Sequence, residues 1–109
     1  MAIELRLPNI KGTDKEQLVQ IRSYLYQLTE QLQRALNIEL RLPKIQGTDR
    51  EQLAQIRSYL YQLTEKLQWA LNIELRFPNI KGNDREQLAQ IRSYLYQFTE
   101  QLQWALAAV

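Results

Sequence analysis

Apolar side chains recur at alternating intervals of three and four along Asp49–Leu71. Leu53, Leu60 and Leu67 occupy heptad position a; Ile56, Leu63 and Ala70 occupy d. A strict 3.5-residue repeat draws a narrow seam along a helix, and a near-parallel helix covers such a seam better than a flat sheet does. The pattern returns as Leu18, Ile21, Leu25, Leu28, Leu32 and Ala35, and again as Leu88, Ile91, Leu95, Phe98, Leu102 and Ala105. Three matching seams predict three helices facing one axis. Leu at a with Ile or Leu at d also sits closer to multi-stranded coils than to the dimer pattern of β-branched a with Leu d.

A second pattern precedes each helix. Ile38-Glu39-Leu40-Arg41-Leu42 alternates apolar and charged residues, which predicts a half-buried strand. Pro43 ends it by removing a backbone donor. Residues 44–47 then read as a loop anchored by Ile45. Thr48 and Glu51 are spaced as a capping box, in which each side chain meets the other's backbone amide. Thr13 with Glu16 and Asn83 with Glu86 repeat it. Asn37 and Asn72 directly follow the last helical Leu, and Asn tolerates the left-handed conformation that reverses a chain.

Strand, loop and helix together form a 35-residue unit in three tandem copies: 3–37, 38–72 and 73–107. Copies one and two differ at 6 positions, and either differs from copy three at 7. Such near-identity implies recent duplication or deliberate design, an engineered or consensus repeat. At 109 residues the chain suits a single domain.

Two architectures fit an α/β (βα)3 repeat. In one, three long parallel helices form a pseudo-threefold bundle and short strands lie in its outer grooves, with the strand at 3–7 closing the ring beside the third helix. In the other, right-handed crossovers build an open three-stranded parallel sheet with helices on one face. The bundle fits the narrow seam; the sheet satisfies strand backbone groups more readily. For the bundle, Gln55, Gln62, Gln68, Arg57, Tyr61 and water are the candidate partners for those groups. Leu42 and Leu63 both become Phe in copy three, at Phe77 and Phe98. This predicts that the two rings share a level and touch.

Composition narrows the chemistry. A net charge of +2 carries no sign of a nucleic-acid or membrane field. Without Cys there is neither disulfide nor thiolate chemistry, and without His the usual general base and metal ligand are missing. We expect no cofactor, no required partner and no enzyme activity. The start MAIELRLP lacks a signal peptide's build, so a soluble chain without a targeting signal is expected, its compartment open.

The stretches RSYLYQLTE and LQWALN resemble short segments of minor structural proteins in the tail assemblies of phages that infect Gram-positive bacteria. The resemblance covers one 35-residue unit, repeated along nearly the whole chain. It implies a trimerising element, here linked into a single-chain pseudotrimer.

The remaining polar and aromatic positions each carry two readings. Glu30, Glu65 and Glu100 at f read as solvated carboxylates or as an acid/base set. Arg22, Arg57 and Arg92 at e flank the seam, either paired with Gln or Glu or binding an anion on the axis. Tyr24, Tyr26, Tyr59, Tyr61, Tyr94 and Tyr96 are expected to pack on the strands with hydroxyls in water; ligand stacking is the alternative. Trp69 and Trp104 replace Arg34 at c, where they cover a strand end or mark self-association. The loops at Gly12, Gly47 and Gly82 precede helix N-termini but lack a phosphate-binding Lys-Ser/Thr pair. Two functional classes follow: a structural scaffold, monomeric as a pseudotrimer, or a binding module for a protein or glycan. A phage tail element is a further form of the first.

Overall fold

The structure, a computed structural model, describes residues 4–108, so Ile3 lies outside it. Among the described residues there are three helices: α1 (Asp14–Leu36), α2 (Asp49–Leu71) and α3 (Asp84–Ala107). The molecule measures 38 × 23 × 22 Å. A helix of 23 residues is about 35 Å long, so each spans the long dimension.

Side-chain pairs give the helix direction. Arg22 of α1 meets Gln52 of α2, and Thr29 of α1 meets Tyr59 of α2. Both partners advance by seven residues, so the two helices run parallel. The same pairs join α2 to α3 (Arg57–Gln87, Thr64–Tyr94) and α3 to α1 (Arg92–Gln17, Thr99–Tyr24). In heptad terms each is an e residue meeting the g residue of the next helix, the register expected of parallel strands in a coil. The ring therefore closes with three equivalent interfaces.

The seams fill its centre. Leu25, Leu60 and Leu95 are each fully buried, as are Ile21, Ile56 and Ile91. Leu18, Leu28, Leu32, Leu53, Leu63, Leu67, Leu88, Phe98 and Leu102 complete the stack at 1% exposure or less. Each such side chain contributes about 1.5–3 kcal/mol of burial. The seam loosens at the C-terminal end. Ala70 is exposed, Ala35 and Ala105 are half-buried, and Leu106 takes the inner place in α3.

The strand expectation is overturned. No described residue is in a β-strand, so the fold is an all-α bundle, neither an α/β (βα)3 repeat nor an open sheet. The connecting segments are nonetheless stretched. Leu40 N donates to Gln33 Oε1 (3.0 Å), and Gln46 N donates to Gln55 Oε1 (3.1 Å). Gln68 of α2 is the counterpart of Gln33 and lies 13 positions beyond Gln55 (68 − 55), which is about 20 Å of helix rise. The six steps from Leu40 to Gln46 reach about 20 Å only when nearly fully extended.

A ladder needs a second extended backbone roughly 4.8 Å away, and these segments lie in three separate grooves with helices on either side. Glutamine amides take the partner's part. Gln55 accepts from Gln46 N and donates to Gln46 O (2.8 Å), and Gln20 and Gln90 do the same for Lys11 and Lys81. Gln33, Gln68 and Gln103 accept from Leu40, Leu75 and Leu5. Of the partners named from sequence, Gln55 and Gln68 serve, while Arg57 turns to Gln87 instead. The alternating pattern still has a cause: Leu5, Leu40 and Leu75 are buried while Arg6, Arg41 and Arg76 face water.

Candidate functional site

The polar chemistry of the bundle sits at its interfaces and helix starts. Thr13, Thr48 and Asn83 each accept from the amide of Glu16, Glu51 or Glu86, and each carboxylate accepts from the cap residue's own amide. The glycine before each cap has φ of +106° to +108°. A Cβ there would stand 2.6–2.7 Å from the capping carboxylate oxygen, so a side chain is strained by the backbone conformation and would also push the carboxylate off the cap. The Thr13 amide, then its hydroxyl, holds the Glu16 carboxyl below its ordinary range, and Thr48 does the same for Glu51.

Next along the bundle is a ring of arginines. Arg22, Arg57 and Arg92 each donate to a glutamine Oε1 on the neighbouring helix. Those glutamines, Gln52, Gln87 and Gln17, donate in turn to the carbonyls of Gly47, Gly82 and Gly12. The guanidinium is thus tied through one amide to the loop that caps the neighbouring helix. Ion pairs between exposed arginines and half-buried aspartates add to this end: Arg50–Asp84 at 3.4 Å and Arg85–Asp14 at 3.8 Å. Such pairs contribute at most about 1 kcal/mol each, and Asp84 Oδ1 makes no hydrogen bond despite its burial.

The third layer corrects the reading of the tyrosines. Tyr24, Tyr59 and Tyr94 are buried, and their hydroxyls bond Thr99, Thr29 and Thr64 of the adjacent helix rather than water. Thr64 also donates to Leu60 O at 2.7 Å, so in that pair the phenol is the donor. Burial pushes all three phenols up, and the threonine bond draws them partly back. These threonines were not singled out from sequence. The available signal was the e–g′ offset of five residues, which pairs position 29 with position 24 of the next copy. Tyr26, Tyr61 and Tyr96 are exposed.

Phe77 and Phe98 both pack on Tyr94. Its ring lies 5.2 Å from Phe77, edge-on, and 5.3 Å from Phe98, stacked. The two phenylalanines expected to share a level thus share Tyr94 as a common neighbour. Phe77 also meets Tyr61 edge-on at 5.8 Å. Trp69 and Trp104 are largely in water, at 89% and 79% exposure. Glu30, Glu65 and Glu100 are exposed, each on a different helix.

A cleft of about 640 Å³ lies where Lys15, Asp49, Arg50 and Asp84 come near each other, with charges of both signs on its walls. A second, of about 620 Å³, runs between α1 and segment 38–46. Among the described residues no group of three or more acidic side chains could hold a metal ion, and no helix is long and apolar enough to cross a membrane. No protein family, curated protein or solved structure matches the chain.

Proposed function

We propose that this chain is a non-catalytic structural element, a single-chain pseudotrimer made by linking three copies of one trimerising unit through duplication or design. The observation that carries this is the third interface. The α3-to-α1 contact repeats, pair for pair, the contacts made from α1 to α2 and from α2 to α3. Three separate chains would make the same ring without the two linking turns. The left-handed Asn37 and Asn72 are what the linkage adds. The interfaces use Arg–Gln and Tyr–Thr pairs that satisfy one another, so their polar groups are occupied in holding register rather than turned toward a substrate. The resemblance of RSYLYQLTE to phage tail segments agrees with a parent unit that trimerises in a fibre.

Sedimentation equilibrium tests the reading. A monomer near 13.0 kDa, folded down to micromolar dilution, is the expected result. A chain that folds only on assembling with other copies overturns it.

A further inference from the structure

The outer grooves are not equally filled. Beside α2, the Phe77 ring packs on Tyr61 and Tyr94, and neighbouring Ile80 is buried at 8% exposure. Beside α1, the equivalent residue is Leu42, and the counterpart of Tyr61 is Tyr26. There Ile45, the counterpart of Ile80, is only half-buried. Tyr26 is 61% exposed, against 52% for Tyr61. The 620 Å³ cleft opens against Leu42, Ile45 and Tyr26. One repeat unit therefore seats a benzene ring, while its neighbour, on the same backbone plan, puts the smaller Leu42 there and leaves a cleft beside it.

The cleft also differs in charge. Lys44 stands where the other copies have Asn9 and Asn79. Arg22 lines the same wall, with one of its nitrogens committed to Gln52, and Glu30 is the acidic side chain present. Two cations against one carboxylate favour a monoanion, and Lys44 is an exposed residue on a flexible stem at the rim.

We propose that this groove binds small aromatic monocarboxylates. The ring lies over Leu42 and Ile45 and meets Tyr26 edge-on, as Phe77 meets Tyr61, and the carboxylate reaches Lys44. Tyrosine prefers such edge-to-face partners, and the ring covers apolar surface that Phe77 already covers in the next groove. The Glu30 carboxylate disfavours ligands with a second negative charge. A ligand of about ten heavy atoms on an open surface binds in the millimolar range.

The test is an NMR shift titration of the full chain with phenylacetate, and with benzyl alcohol as the uncharged ring. Two variants copy what the protein already tolerates elsewhere. Leu42→Phe fills the place with the chain's own ring, and Lys44→Asn restores the residue of the other copies. Saturable phenylacetate shifts centred on Tyr26 and residues 42–45 are expected. L42F should weaken binding by about tenfold or more, since its ring competes for the same volume. K44N should weaken phenylacetate about two- to fivefold, the scale of an exposed ion pair, and leave benzyl alcohol unchanged. Absence of saturable shifts overturns the proposal, as do shifts that persist in L42F. Should L42F fail to fold, K44N decides: equal phenylacetate affinity in K44N and the parent overturns it.

Discussion

The buried Thr64–Tyr94 pair makes an asymmetric prediction. Tyr94 is 5% exposed and Thr64 2%, so water does not reach either hydroxyl freely. The phenol donates to Thr64, and Thr64 donates onward to Leu60 O. Tyr94→Phe removes one bond and leaves Thr64 its carbonyl partner; the expected loss is about 0.5–1.5 kcal/mol, the net worth of one hydrogen bond. Thr64→Val keeps the shape but strands a buried phenol, and an unpaired buried donor costs about 1–3 kcal/mol. Leu60 O keeps its helical bond, so nothing else is orphaned. The double variant leaves no unpaired group and should cost less than the sum of the singles by about 1 kcal/mol. Urea unfolding followed by circular dichroism measures all three. In thermal melts, about 2.1 cal/mol/K per residue makes 1 kcal/mol worth about 4–5 °C for a chain of this size. Tyr94→Phe proving costlier than Thr64→Val, or the two effects simply adding, would refute the assigned proton direction.

Other outcomes follow from the same structure. Tyr24, Tyr59 and Tyr94 have phenols raised by burial. Their contribution is therefore intact below the unfolded tyrosine value of about 10 and is lost as pH climbs through the folded values; denaturation midpoints should fall on that side, together with the rise of tyrosinate absorbance. Glu16 and Glu51 are shifted the other way, so their caps act above the ordinary carboxyl range and fail as pH drops through the lowered values, seen as fraying in amide exchange of the first turns. Gly47→Ala forces a side chain to φ +107° and puts Cβ 2.6 Å from Glu51 Oε1. Urea midpoints should show a loss of about 1–3 kcal/mol, and Gly82→Ala should match it. Leu25→Ala, Leu60→Ala and Leu95→Ala each empty a fully buried site and should lose about 2–5 kcal/mol by the same assay, with nearly equal values for the three.

Legibility in the sequence follows the reach of each cause. The bundle is readable because a 3.5-residue seam is written in each helix and repeated three times. A capping box is written in four consecutive residues. The segments at 38–42 misled because alternation records which side chains are buried, not what the backbone bonds to. Leu40 is buried against helices, and its amide ends on Gln33. A glutamine side chain standing in for a strand leaves no mark in the alternation itself. The Tyr–Thr pairs were missed for a related reason. Tyr59 seen alone lies beside the seam with its hydroxyl pointing outward; only the neighbouring helix, parallel and in register so that g meets the e five positions further on, brings Thr29 to it. Trp69 shows the opposite limit: a large apolar side chain suggests cover, yet it stays in water at 89% exposure, although Gln55, two heptads earlier at the same position c, reaches the segment at Gln46.

The contact between Leu5 N and Gln103 Oε1, 2.8 Å long, has a consequence for behaviour at high concentration. Its counterparts at Leu40 and Leu75 are tethered by short turns, whereas this one joins residues 98 positions apart. A second molecule offers the same segment to the same groove, so trading segments between molecules replaces every lost bond with an identical copy. What keeps the trade internal is only the local crowding of a segment tied to α1, an effective concentration in the millimolar range for short tethers. Well below that, each molecule is expected to shut on itself; toward it, exchanged pairs and open chains of molecules should compete on nearly equal terms.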